Sequence, residues 1–192
     1  MIRKSTPALL SIILFIFAVN PKAQAQKLST PMPSPKSTLT QLVGLTEVTI
    51  TYHRPGVKGR VIFGDLVPYG ELWRTGANNS TTIKVSDDVM FEGQIVSAGE
   101  YALFTIPEKN EWTIVLSKSI GWGTGNYKEE EDVARFKVKS QLLAENVERF
   151  TIEIADITDS SARIILKWAK TGVSFNMTCD TDSKVMNQIK ES

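Results

Sequence analysis

Short segments in which apolar and polar residues alternate recur along this chain, and they constrain its fold more than any other feature. Apolar side chains occupy every second position of Glu47–Tyr52, and the same period recurs in Thr81–Ser86. Alternation of this kind is typical of a β-strand with one face on a core. Val89–Val96 is predicted to form two short strands around Glu92-Gly93, because Gly favours a tight turn. Tyr101–Ile106 is apolar on both faces, which predicts a central strand.

The remaining segments extend this all-β pattern, with clusters of Gly, Pro, Asn and Asp between them. Further strands are predicted over Trp112–Ser117, Arg135–Lys139, Arg149–Ala155, Ala162–Trp168 and Val173–Met177. Many short strands at this spacing predict an all-β, single-domain antiparallel β-sandwich or jelly roll.

Two segments are compatible with helix. Ser140–Asn146 is ambiguous between helix and strand, whereas Ser183–Lys190 predicts a short C-terminal helix capped by Asp182 or Ser183. The fold is therefore expected to contain at most one short C-terminal helix.

The N-terminal residues have the layout of a secretory signal peptide. Arg3 and Lys4 precede an apolar run over Leu9–Val19, which is shorter than the roughly 20 residues needed to span a bilayer. Ala23-Gln24-Ala25 then provides a small-x-small cleavage site. The predicted divisions are a signal peptide over 1–25, an extended Pro/Ser-rich lead-in over 26–37 and one β-domain over 38–192. The alternative is an uncleaved N-terminal anchor.

The net charge of the chain and its predicted export limit the classes of partner that it is expected to bind. The predicted signal peptide contains three basic residues and no acid, so its removal changes the net charge from +1 to −2. A near-neutral domain of this kind gives no indication of nucleic-acid binding. We expect an exported protein, periplasmic or secreted, with no membrane span after signal cleavage.

Metal and cofactor chemistry find little support in the sequence. His53 is the only histidine and Cys179 the only cysteine, so neither a His-rich zinc site nor an intrachain disulfide can form. Cys179 is predicted to be a buried apolar side chain rather than a reactive thiol. No phosphate loop or dinucleotide-binding motif is present. The sequence therefore predicts no catalytic residue, no metal and no cofactor.

Acidic residues provide the main alternative to a protein without catalytic residues. Glu71, Glu92, Glu100 and Asp132 are candidates for a pair of catalytic carboxylates, as in glycoside hydrolysis. Four aspartates near predicted turns are weaker candidates for a calcium site: Asp156, Asp159, Asp180 and Asp182.

The most informative stretch runs from Tyr52 to Ser80, where cationic, aromatic and amide side chains are concentrated. Arginine binds carboxylates and phosphates with two parallel hydrogen bonds, and aromatic rings stack on sugar rings. The candidate ligand-binding residues are Arg54, Arg60, Trp73, Arg74, Asn78 and Trp122. In the structural alternative, Trp73 closes one end of the sandwich, and Arg74 pairs with an internal carboxylate.

A second unusual loop, Gly121–Tyr127, has three glycines around Trp122. Glycine permits sharp turns, so the loop is compatible with a mobile lid whose tip is aromatic. It is equally compatible with a connection whose Trp122 folds back onto the core.

These stretches together resemble a family of exported bacterial proteins, domain of unknown function 2911. The resemblance rests on Trp73-Arg-Thr-Gly-Ala-Asn78, with Arg54-Pro55, Gly59-Arg60, Phe104-x-Ile-Pro107 and Trp122-Gly123. It extends over roughly Pro31–Phe175. It implies export and a compact β-domain, but no activity, substrate or cofactor. His53 stands where a small polar residue is expected in the family, which weakens its case as a catalytic base.

From these features we expect a non-enzymatic binding or scaffolding domain of the cell envelope, with a small polar or glycan ligand. The alternative is a carboxylate-dependent envelope hydrolase. Oligomeric state is not predicted.

Overall fold

The alternating segments form an antiparallel β-sheet. A computed structural model describes residues 29–191, and its strands and α-helix are β1 (Lys36–Val43), β2 (Thr46–His53), β3 (Thr81–Val85), β4 (Val89–Phe91), β5 (Gln94–Val96), β6 (Gly99–Pro107), β7 (Glu111–Ser117), β8 (Asp132–Ala155), β9 (Ser161–Cys179) and α1 (Thr181–Glu191). A single 3-10 turn, Glu129–Glu131, precedes β8. The predicted all-β class with one short C-terminal helix is confirmed.

The strands form one nine-stranded sheet in the order β1-β2-β3-β6-β7-β8-β9-β4-β5. The sheet has two sections, β1-β2-β3-β6-β7 and β9-β4-β5, and the long strand β8 connects them. Residues Asp132–Lys139 of β8 pair with β7, whereas Ser140–Ala155 pair with β9. Register shifts beyond Leu142 interrupt this second pairing, and such bulges bend a strand. The two sections meet across the core, where Tyr52 of β2 donates a hydrogen bond to the carbonyl of Ile152 at 3.3 Å.

Apolar side chains from both sections form one continuous core. It extends from Ile50 of β2 and Leu103 of β6 to Phe150 of β8 and Phe175 of β9. Strand β6 is buried on both faces, as its sequence predicts: Phe104 points away from this core and packs with Ala102 and Val115 in a second cluster. The residues from Pro31 onward form one compact unit.

The hairpin β4–β5 turns as its sequence predicts. Glu92 and Gly93 both have positive φ angles, 47° and 82°. Two successive positive φ angles are the signature of the tight turn whose twist matches that of two antiparallel strands.

The structure differs from the sequence predictions at β1 and at the cap of α1, and it resolves the ambiguous segment Ser140–Asn146. No strand is predicted over Lys36–Val43, which forms edge strand β1. Ser140–Asn146 lies within β8 and is not helical, because Ser140 and Gln141 pair with β9 and this pairing overrides the local helix propensity.

The cap of α1 is Asp180 rather than Asp182 or Ser183. Its Oδ1 accepts a hydrogen bond from the backbone N–H of Ser183 at 3.0 Å. The Ser183 side chain, and then this backbone hydrogen bond, lower the pKa of Asp180. Among residues 29–191 no helix has the length and apolar character to cross a membrane. The predicted signal peptide lies outside the described residues.

Candidate functional site

The long connection from Arg54 to Ser80 is organised around Trp73 and Thr75. Trp73 pairs with Thr105 of β6 through two backbone hydrogen bonds of 2.8 and 2.9 Å. The backbone at Trp73 therefore lies beside β6, past the N-terminal end of β3. Thr75 has a positive φ of 55° and is fully buried. Its hydroxyl contacts that of Thr105 at 3.1 Å, and its carbonyl accepts a hydrogen bond from the Thr81 hydroxyl at 2.6 Å. Threonine hydroxyls thus satisfy polar groups in this buried turn.

The Trp73 ring lies in the core, as the structural interpretation of this stretch predicts. It is 9% exposed and stacks on Trp168 with 5.6 Å between ring centroids and 15° between ring planes. The rings of Phe63, Trp112 and Phe150 meet it at steep angles. Its Nε1 donates to the carbonyl of Gly76 at 3.1 Å. One face of Trp73 is therefore covered by Trp168, and the other rings enclose most of what remains.

A cavity of about 400 Å³ lies above this aromatic cluster. The connection from Pro55 to Ala77 supplies most of its wall, Thr124 and Trp168 contribute from later segments, and Pro33 and Ser34 line it from the N-terminal side. Pockets that bind small molecules have volumes of about 300–1,000 Å³. The cavity is thus large enough for a small ligand.

Three cationic side chains line this cavity: Lys58, Arg60 and Arg74. The Arg60 guanidinium is held in place by two backbone carbonyls, since its Nε donates to Val57 at 3.0 Å and its Nη2 to Gly56 at 2.6 Å. Glu71 is the single acidic residue among those that line the cavity. Cationic side chains therefore outnumber carboxylates three to one.

Arg74 does not pair with an internal carboxylate, so that part of the structural interpretation is wrong. Its Nε is buried without a hydrogen-bond partner, and among residues 29–191 its guanidinium forms no ion pair. Glu71, the acidic residue closest to Arg74 in sequence, lines the same cavity, but no ion pair joins the two side chains.

The remaining predicted ligand-binding residues are not brought to the cavity wall. Arg54 is engaged elsewhere: its Nε donates to the carbonyl of Phe150 at 3.0 Å and its Nη2 to the hydroxyl of Thr151 at 2.8 Å. Asn78 has a positive φ of 62°, and its carbonyl accepts a hydrogen bond from the backbone of Gly123 at 3.2 Å. These contacts join segments of the domain.

Trp122 does not fold back onto the core. It is 67% exposed, whereas Trp73, Trp112 and Trp168 are at most 9% exposed. Its loop is attached to the other unusual stretch, since Asn79 and Trp122 form an isolated antiparallel bridge. Gly123 has a φ of +66°, and a Cβ there would lie 3.2 Å from Nη1 of Arg74. Glycine thus allows this loop to pass close to the Arg74 guanidinium.

Trp168 lines the cavity but was not among the candidates from the sequence. The alternating pattern of the strand Ala162–Trp168 predicts a core residue at this position. Trp168 is 2% exposed, so it belongs to the core and also lines the cavity. Its Nε1 is buried without a hydrogen-bond partner. No local motif marks it, because its place beside Trp73 depends on residues distant in sequence.

The four candidate carboxylates do not meet at this cavity. Only Glu71 is among its lining residues. Glu92 lies in the β4–β5 turn and accepts a hydrogen bond from the backbone N–H of Asn176, whereas Glu100 lies on β6 opposite Lys84. Asp132 begins β8 and pairs with Arg135.

Asp132 belongs to a compact polar cluster with Tyr127 and Arg135. The Tyr127 hydroxyl donates to Oδ2 of Asp132 at 2.9 Å, and Nη2 of Arg135 donates to both groups at 2.6 and 2.8 Å. Burial, together with the adjacent carboxylate, raises the pKa of Tyr127 to about 12. The cluster connects the end of the Trp122 loop to β8.

We expect phenolate absorbance to show one tyrosine that titrates with a pKa of about 12 and that is absent from Tyr127→Phe. The unfolded chain has a tyrosine pKa of about 10. The stabilisation that this hydroxyl provides is therefore complete below about pH 10 and is lost as the pH rises through about 12. The difference in unfolding free energy between parent and variant should shrink over that interval. Tyr69→Phe, at an exposed site, is the control, and a Tyr127 that titrates near pH 10 would contradict the expectation.

His53 ends β2 and is buried. Burial, and then the charge of Lys36 on the paired strand, lower its pKa. Within residues 29–191 no group of three or more His, Cys, Asp and Glu side chains is arranged to hold a metal ion. Cys179 is buried, as predicted, with its Sγ 3.3 Å from the carbonyl of Val43.

The fold and the cavity together define an antiparallel β-domain with a cation-lined cavity on its longest connection. The family model described as "Protein of unknown function (DUF2911)" matches residues 34–177, most of the chain. The chain therefore belongs to the DUF2911 family, as its sequence motifs indicate. No curated protein and no solved structure shows significant similarity to it.

Proposed function

We propose that this protein is an exported, non-catalytic domain that binds a small anionic ligand in the cavity lined by Lys58, Arg60 and Arg74. The observation that carries the proposal is the Arg74 guanidinium, which lies on the cavity wall without a carboxylate partner. A carboxylate or phosphate oxygen of a ligand would supply the acceptor that Arg74 lacks.

The electrostatics of the cavity favour an anion. A guanidinium presents several donors in a rigid fork that matches the two oxygens of a carboxylate. Arg60 is oriented in advance by the carbonyls of Val57 and Gly56, so less rotational freedom is lost when a ligand binds. Lys58 adds a third positive charge at the same wall.

Hydrolysis through paired carboxylates is less well supported at this cavity. Glycosidases of that type hold two carboxyl groups about 5–10 Å apart across the scissile bond. Glu71 is the single carboxylate among the lining residues. Binding therefore accounts for the lining better than the hydrolase alternative does.

Export is proposed from the sequence. The basic start, the short apolar run and Ala23-Gln24-Ala25 have the order of a signal peptide. An envelope protein of this kind would meet small anions outside the cytoplasm.

Arg74→Met provides the test. Isothermal titration calorimetry would measure the binding of inorganic phosphate, glucuronate and naphthoate, with glucose and naphthamide as neutral controls. We expect at least one anion to bind the parent with one-to-one stoichiometry. Arg74→Met should weaken this binding by about tenfold to a hundredfold, because charge-assisted hydrogen bonds contribute about 1.5–3 kcal/mol.

The same variant should retain the stability of the parent or exceed it. Methionine keeps much of the side-chain volume and removes a buried donor that has no partner. Arg163→Met removes a positive charge that pairs with Asp156 outside the cavity, so it controls for net charge. Absence of anion binding, or binding that Arg74→Met and Arg163→Met weaken equally, would overturn the proposed function.

A further inference from the structure

We propose that the ligand is an apolar organic oxyanion, a carboxylate or phosphate attached to an aromatic or aliphatic body, rather than a saccharide. This inference rests on the proposed function and specifies the chemistry of its ligand. It follows from the part of the cavity wall that carries no charge.

Saccharide recognition commonly uses an accessible aromatic face, and the aromatic floor of this cavity does not offer one. Trp73 and Trp168 stack on each other, and they are 9% and 2% exposed. The flanking rings of Phe63 and Phe150 cover further surface of the pair. The indoles therefore present a narrow apolar surface, which suits an apolar group better than the face of a sugar ring.

The side chains around this floor include few uncharged polar groups to bond a row of hydroxyl groups. The uncharged polar side chains among the lining residues are the hydroxyls of Ser34 and Thr124; no Asn, Gln or Asp lines the cavity, and Glu71 is the one carboxylate. Any sugar hydroxyl buried against the apolar part of this wall would lose its hydrogen bonds to water without replacing them, which is unfavourable.

Apolar side chains make up much of the remaining wall. They come from three parts of the chain and are Pro33, Pro55, Leu66, Val67, Pro68, Leu72 and Ala77. Burial of an apolar ligand body against such a wall is favourable in proportion to the area removed from water.

Charge and apolar wall thus meet in one cavity. Arg74, Trp73 and Trp168 all line this cavity, so one ligand can contact the cationic group and the aromatic floor together. An oxyanion bound at Arg74 would have its attached body over Trp73 and Trp168. Neither inorganic phosphate nor a neutral apolar molecule would use both parts of the site.

The calorimetric series separates these ligand classes. We expect naphthoate or naphthyl phosphate to bind the parent at least about tenfold more tightly than glucuronate, inorganic phosphate or naphthamide. A preference between naphthoate and naphthyl phosphate identifies the oxyanion, and either supports the inference. Glucuronate that binds as tightly as both naphthyl anions, with loss of affinity in Arg74→Met, would overturn the ligand class and leave the proposed function in place. Binding of no anion would overturn both.

A variant of the apolar wall gives an independent test. Leu66 lines the cavity and is 44% exposed, so Leu66→Asn is not expected to unfold the domain. It should weaken naphthoate binding by about threefold to fivefold and leave phosphate binding unchanged, because only the apolar body contacts this side chain. Leu142→Asn, at an exposed position on β8 outside the cavity, is the matched control. Equal naphthoate affinity in the parent and Leu66→Asn would contradict an apolar body in this cavity.

Discussion

Replacement of Trp73 with alanine is expected to lower the free energy of unfolding by about 3–5 kcal/mol, the usual loss for a buried tryptophan. Trp73 contacts four aromatic rings and donates a hydrogen bond to Gly76, so its removal leaves a void at the centre of this cluster. Domains of this size have total stabilities of about 5–15 kcal/mol, so the loss is a large fraction. Urea unfolding of residues 26–192 would measure it.

Trp122→Ala is the matched control for this experiment. It removes the same side chain from a site that is 67% exposed, where substitutions usually change stability by no more than about 0.5 kcal/mol. Trp73→Phe retains an apolar ring, so its loss of unfolding free energy should lie between those of Trp73→Ala and Trp122→Ala. A Trp73→Ala protein as stable as Trp122→Ala would refute a core role for the Trp73 ring.

Gly44→Ala is expected to destabilise the domain by about 3 kcal/mol or more. Gly44 lies in the two-residue turn between β1 and β2 and has a φ of +56°, where a side chain costs about 1–2 kcal/mol. An added Cβ would also clash with the carbonyl oxygen of Asp159 and with the hydroxyl of Thr181. Relief of such a clash requires backbone movement, and overpacking of this kind costs about a further 1–3 kcal/mol.

Gly93→Ala separates these two contributions. Gly93 also has a positive φ, +82°, but nothing lies within 4 Å of an added Cβ. Urea unfolding should therefore show that Gly93→Ala lowers the free energy of unfolding by about 1–2 kcal/mol, from the backbone conformation alone. Equal losses at the two glycines would mean that the β1–β2 turn tolerates the clash, and that its contact with Asp159 and Thr181 is loose.

The two stability predictions bear on the proposed site in different ways. Trp73 forms part of the cavity floor, so its loss should impair both folding and binding. Gly44 is not among the lining residues, and its variant should retain ligand affinity in the fraction that remains folded. Arg74→Met is expected to show the opposite pattern, a loss of affinity without a loss of stability.

The candidate site was only partly predictable from the sequence. Arg60, Trp73 and Arg74 line the cavity, whereas Arg54, Asn78 and Trp122 do not. Arg54 and Arg74 are equivalent in sequence terms, since each follows an aromatic segment in a region rich in glycine. What distinguishes them is the set of neighbours: Arg54 meets Phe150 and Thr151, which are 96 and 97 residues away.

Local pattern determined most of the segments of this protein that become strands, because alternation reports whether a strand has one buried face, and that requirement holds whatever its neighbours are. Strand β2, the β4–β5 hairpin and the doubly buried β6 follow from it directly. Tertiary structure decided the rest. Edge strand β1 and the continuous β8 depend on hydrogen bonds to β2 and β9, which local sequence does not encode. The pairing of each arginine likewise depends on which carbonyls and carboxylates the fold brings within reach, so only the folded chain leaves Arg74 without a carboxylate partner on the wall of a cavity.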